Sequence, residues 1–229
     1  FGSCTVRLFS TSPRPVDGRI TVLAYTQGVE SFVDQNGDGR LSDLESFTSI
    51  PEAFRDDDED NVRDLTEFYM DFNLNGGYDV ADAEYNGHLC NDSARCSLQT
   101  SLNVFDDIVI IFSTSSALLD VTGATAGLLA DETGVSNTLD ITGGSELVTV
   151  SFSDTNGQPL PFETTISVLT DAGELSGTRT FTQSNTNVAG TSSFSFSLTD
   201  TNTDPAQTNS GRLTVTLTTP NGNITEIAF

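Results

Sequence analysis

Asp34, Asn36, Asp38, Ser42 and Glu45 stand at positions 1, 3, 5, 9 and 12 of the run DQNGDGRLSDLE. Gly39 occupies position 6, and Arg40 at position 7 offers its carbonyl. Oxygen ligands at this spacing suit a hard divalent cation that takes six to eight oxygens, and the glycine permits the sharp turn that brings them round it. The run fits the calcium-loop pattern D-x-[DN]-x-[DN]-G-x5-E in full.

Two further runs share the spacing. In DDDEDNVRDLTE, Asp56, Asp58 and Asp60 take positions 1, 3 and 5, Val62 offers a carbonyl at 7, and Asp64 and Glu67 fall at 9 and 12. Asn61 replaces the glycine, and asparagine is the next most tolerant residue of positive φ. In DFNLNGGYDVAD, Asp71, Asn73 and Asn75 lead, Gly76 sits at 6, Gly77 offers its carbonyl at 7, and Asp79 and Asp82 fall at 9 and 12. Aspartate at 12 is shorter than glutamate and predicts a weaker or single-oxygen contact there. An aromatic residue (Phe32, Phe54, Tyr69) lies two positions ahead of each loop, so the three read as an internal repeat with one apolar anchor apiece. The competing reading is a solvated acidic run. Three loops in phase favour the metal.

The elements that must hold these loops are strands. GRITVLAYTQ (18–27) and SLNVFDDIVIIFS (101–113) bracket the acidic segment, which carries too many carboxylates and too few hydrophobes to fold by apolar burial alone. Residues 30–84 hold 17 of the 33 acidic side chains. After STSS at 113–116 the composition turns to Thr, Ser, Gly and Asn, and period-two alternation recurs in LVTVSF (147–152), TTISVLT (164–170), SSFSFSLTD (192–200), GRLTVTLTTP (211–220) and NITEIAF (223–229). The expected fold is mostly β. A calcium-loop-rich module over residues 1–113 joins an antiparallel β-sandwich over 114–229, with no long helices flanking the loops.

Net charge is −24, and all nine basic residues are arginine. Such a surface repels phosphate backbones and anionic lipid, which argues against nucleic-acid partners and direct membrane insertion. No run approaches the roughly 18 apolar residues of a membrane span. Cys90 and Cys96, in LCNDSARC, are placed to close a short disulfide loop, the alternative being two free thiols. Cys4, near a start that lacks methionine, has no obvious partner in the sequence, and the chain reads as a fragment.

The order of these features resembles large bacterial surface proteins with immunoglobulin-like repeats. The stretch from FVDQNGDGRLSDLESF to YNGHLC is similar to their acidic calcium-loop segment. DTNGQPLPFETTISV and GRLTVTLTTPNGNITEIAF resemble an immunoglobulin-like domain of the invasin and intimin type. Asn61 departs from the glycine of similar loops. The resemblance implies an extracellular stalk or adhesin segment, whose partners are neighbouring domains or subunits of a surface assembly and a host or glycan ligand.

Catalysis finds little support. With one histidine, His88, the chain is expected to hold neither a Ser-His-Asp triad nor a histidine-rich zinc site, and His88 with Cys90 and Cys96 makes a poor zinc set. Without lysine there is no phosphate-binding G-x-x-x-x-G-K loop. Asn91-Asp-Ser93 and Asn223-Ile-Thr225 are formal glycosylation sequons and read as turns and strand ends. The expectation is a non-enzymatic, calcium-stabilised structural or adhesive module. The alternatives are a subunit of an extracellular filament assembled by strand addition or end-to-end contacts, and a calcium-dependent carbohydrate binder.

Overall fold

The computed structural model describes residues 3–42, 44–92, 94–202, 204 and 210–229, and every regular element among them is a β-strand. In chain order the strands are β1 (Arg19–Gly28), β2 (Leu102–Ile111), β3 (Ala117–Gly123), β4 (Gly127–Asp131), β5 (Ser145–Asp154), β6 (Thr165–Thr170), β7 (Glu174–Gly177), β8 (Thr180–Thr182), β9 (Ser192–Thr199), β10 (Leu213–Thr218) and β11 (Ile224–Ala228). Ile20–Ile110 form one compact unit, and the chain on either side of that segment forms the other. No helix among the described residues is long and apolar enough to cross a membrane. Ser93, the last residue of the first sequon, lies outside the described residues.

In the larger unit two antiparallel sheets have the strand orders β11-β10-β6-β8 and β4-β3-β5-β9-β7. Alternation explains them. On β10, Leu213, Val215 and Leu217 are buried, while the three threonines between them are only partly covered. Val148, Val150 and Phe152 of β5 and Phe194, Phe196 and Leu198 of β9 do the same for the other sheet, and one apolar cluster draws on both. The hydroxyls left outside pair across strands, as Thr149 and Ser195 do at 2.9 Å. The chain changes sheet at each step from β5 to β10, so β6, β8 and β10 lie in one sheet and β5, β7 and β9 in the other.

Buried acids here serve turns. The wholly buried Asp154 accepts backbone N–H groups from Thr114, Asn156 and Gln158 at 2.8–2.9 Å and so fixes the DTNG turn. Glu146, 8% exposed, accepts the Thr125 N–H and hydroxyl at 2.5 and 2.8 Å. These hydrogen bonds, with one from Ala126, hold its pKa below the ordinary glutamate range.

The alternating runs of the sequence coincide with β5, β6, β9, β10 and β11, and the two bracketing runs with β1 and β2. Sequence reading passed over β3, β4, β7 and β8. β7 and β8 are only four and three residues long, too short to show a period. In β3, ALLDVTG, two adjacent leucines blur the alternation, although Leu118 is exposed and Leu119 fully buried.

Candidate metal centre

Between β1 and β2 the smaller unit has almost no regular strand, and paired backbone bridges hold its loops. Phe32 bridges Phe47, and Phe54 bridges Tyr69, each pair lying two residues outside a twelve-residue loop. The ladders match bond for bond. Val33 N–H donates to Ser46 O and Thr48 N–H to Ser31 O. At an offset of 22 residues, Arg55 N–H donates to Phe68 O and Met70 N–H to Ala53 O, all at 2.8–3.0 Å. The aromatic pairs pack edge-on against a tyrosine, Phe32 and Phe47 against Tyr85, and Phe54 and Tyr69 against Tyr78, at 5.6–6.0 Å. An anchor on both sides of each loop converts an open acidic run into a closed one.

Inside the frame, the carboxylates at positions 1 and 12 grip the backbone. Asp34 accepts N–H groups from Gly37, Asp38 and Gly39 at 2.7, 3.2 and 2.8 Å. Asp56 accepts those of Asp60 and Asn61 at 3.2 and 2.7 Å. Glu45 takes Gln35 N–H on one oxygen and Ser42 N–H on the other, both at 2.8 Å. Glu67 takes Asp57 N–H at 2.6 Å and Asp64 N–H at 2.8 Å in the same way. Both glutamates are buried, at 4% and 5% exposure. Positions 4 and 6 are left-handed in all three loops: Gly37 and Gly39 (φ 76° and 74°), Glu59 and Asn61 (65° and 64°), Leu74 and Gly76 (59° and 81°). Asn61 thus adopts the glycine conformation its position requires.

The remaining side chains converge. Carboxylate oxygens of Asp56, Asp58 and Asp60 lie within 4.8 Å of one another and can hold a metal ion. Desolvation, then the charges of Asp60, Asp64 and Glu67, push the Asp58 carboxyl above its ordinary pKa. Asp107 on β2 is raised too, by desolvation and then by Asp56, Asp106 and Glu59. A cation relieves this kind of crowding. In the first loop Asn36 Nδ2 and Ser42 Oγ both reach Asp38 Oδ2 at 3.2 Å. In each loop the side chain at position 5 accepts the N–H of position 7, in Arg40, Val62 and Gly77.

The third loop is built differently. Asp71 accepts the Asn75 and Gly76 N–H groups, and Asn73 and Asn75 donate to Asp79 Oδ2 at 2.7 and 2.8 Å. Asp82, expected at position 12, is not brought to this group and accepts Glu84 N–H in a turn of its own. Glu52 takes its place. One Glu52 oxygen accepts Phe72 N–H at 2.7 Å and the other Asp79 N–H at 3.2 Å, the positions 2 and 9 that Glu45 and Glu67 hold in their loops. Glu52 was missed because it precedes the loop. The signal was the repeat itself: Glu30-x-Phe32-x-Asp34 recurs as Glu52-x-Phe54-x-Asp56. Glu30 has the same habit and accepts Ile50 and Asn86 N–H groups at 2.8 Å.

Cys90 and Cys96 form a disulfide, with Cα atoms 5.8 Å apart, so their sulfurs are not thiolate ligands beside His88. Cys4 is free and exposed. No family model, no curated protein and no solved structure matches this chain.

Proposed function

We propose that the chain is a non-enzymatic, calcium-stabilised segment of an extracellular, bacterial surface protein, in which calcium orders the loops of the smaller unit and the larger unit is an immunoglobulin-like sandwich. The observation that carries this reading is the shared carboxylate frame: Asp34 with Glu45 and Asp56 with Glu67 grip equivalent backbone amides 22 residues apart. Calcium that binds the ordered loops and not the unfolded chain adds folding free energy to this frame. Twenty of the 33 acidic residues lie in Ile20–Ile110 against four arginines. Three calcium ions would cancel about six of those charges. Millimolar calcium outside cells fills sites of roughly 10⁻⁴ to 10⁻³ M. The disulfide agrees with an oxidising compartment. Two sheets sharing one apolar cluster support the sandwich. Equilibrium dialysis against millimolar calcium tests the reading. Two to three ions per chain are expected, and less than one overturns it.

A second reading, a filament subunit, is favoured by Thr5–Phe9. This stretch belongs to no strand, and Val6 and Phe9 are 79% and 73% exposed. Such a segment suits addition to a sheet edge of a second copy. Electron microscopy of concentrated protein should then show regular fibres, and Val6→Asp should abolish them.

A further inference from the structure

The first two loops differ in how their last carbonyl is held. The carbonyl of Glu67, which ends the second loop, is held by Arg63 from position 8 of that same loop, at 3.1 Å. Arg63 is stacked on Tyr69 and Tyr78 at 4.5 and 4.8 Å. The carbonyl of Glu45, which ends the first loop, is held instead by Arg95, from outside the loop, at 2.7 Å. Arg95 also donates to Ser42 O at 3.0 Å, lies over the Phe47 ring and pairs with Asp92. Position 8 of the first loop is Leu41, which has no charge to offer. Its backbone is clasped on both sides, Leu41 N–H donating to Leu89 O and Leu41 O accepting from Asn91 N–H, both at 2.8 Å. Residues 89, 91 and 95 belong to or adjoin the loop that the Cys90–Cys96 disulfide closes.

We propose that the disulfide-closed loop is the positioning element of the first calcium loop, with Arg95 its positioning residue, so that calcium affinity there depends on the disulfide while the second loop is self-sufficient. The proposal rests on the calcium reading above. A dithiol reductant gives up two electrons and two protons and closes to its own cyclic disulfide. The Cys90–Cys96 bond breaks, and each cysteine becomes a thiol. Freed of that link, Asp92 and Arg95 lose the closure that aims the guanidinium at Ser42 O and Glu45 O. Residues that support metal ligands from behind typically change affinity by about 10- to 100-fold. Linkage is reciprocal, so calcium must protect the disulfide from reduction by the same factor.

Calcium titrations of the full chain followed by NMR, reading the amides of Gly39 and Asn61, test this directly. Reduction by the dithiol, and separately Arg95→Met with the disulfide intact, should weaken the Gly39 transition at least about tenfold and move that of Asn61 less than about twofold. Arg95→Lys, which keeps one cationic donor, should recover part of the loss. Equal weakening of both transitions, or no change at Gly39, overturns the proposal. If neither amide titrates in the oxidised wild-type chain, it is the calcium reading that fails. Arg95→Met keeps the test open should the reduced chain unfold.

Discussion

The Glu52 carboxylate accepts the backbone N–H of Phe72 at 2.7 Å across 20 residues of chain. It thereby joins a loop that begins at Asp71, while the Asp82 carboxylate, twelfth in that loop, accepts Glu84 N–H instead. A carboxylate borrowed from upstream makes the third loop depend on the backbone of the second, since Glu52 begins the segment whose Ala53 and Arg55 pair with Met70 and Phe68.

Glu52→Gln is therefore expected to weaken calcium binding at the third loop by about tenfold or more, because the site loses a bidentate anion. Asp82→Asn should change it by less than about threefold. The Gly76 amide, at position 6, reports the site in a calcium titration. A large effect of Asp82→Asn with none from Glu52→Gln would restore the sequence-derived ligand set.

How much of this arrangement was legible follows from where each signal lies. Asp34 to Glu45 and Asp56 to Glu67 are contiguous, so spacing alone marks both runs, and in each the first and twelfth carboxylates accept backbone N–H groups of the run. Strands with clean alternation, such as LTVTLT in β10, were equally readable. Glu52 and Arg95 were not, because each acts on a loop to which it is not contiguous, and a twelve-residue pattern has no place for either. Phe47, which closes the first loop from behind, was not read either, and Tyr69, read as the anchor ahead of the third loop, bridges Phe54 and closes the second. Comparing 30–50 with 52–72 exposes the glutamate and both aromatic rings at once.

Asn61 allows a separate test of loop backbone. Its φ of 64° lies close to the 74° of Gly39, and asparagine reaches this region at small cost. Asn61→Gly should alter calcium affinity of the second loop by less than about threefold. Asn61→Val places a β-branched residue where left-handed backbone costs roughly 1–2 kcal/mol, so affinity should fall about tenfold. Calorimetric titration of both variants measures the difference, and equal affinities would show that position 6 does not govern the site.

Calcium should also raise the melting temperature of the smaller unit. A ligand that binds only the folded state adds RT ln(1 + [L]/Kd), about 2.7 kcal/mol per site at a hundredfold excess over Kd. In scanning calorimetry with 10 mM calcium against chelator, one transition should move upward. The double variant Glu45→Gln, Glu67→Gln should remove most of that movement. A wild-type melting profile indifferent to calcium would count against ion-linked folding.

Acid should act on the larger unit through groups other than the loops. Hydrogen bonds from the Thr125 backbone, the Thr125 hydroxyl and the Ala126 backbone hold Glu146 below its ordinary pKa, and those from Thr133 and from Gly143 do so for Asp131 and Asp200. For an acid whose folded pKa is depressed, the unfolded state binds the proton more readily. Its stabilising contribution is therefore complete above the unfolded value and is lost as pH falls through the folded one. For Glu146 that window lies below the ordinary glutamate value of about 4.3. Glu146→Gln cannot offer two anionic oxygens to Thr125 and Ala126, so the variant should melt lower than wild type at pH 7. Because wild-type Glu146 becomes neutral in acid, the two melting temperatures should converge as pH drops through that window. Melting curves taken in steps from pH 7 to pH 2.5 decide it, and a gap that stays constant across the series would mean that the Glu146 charge contributes nothing to folding.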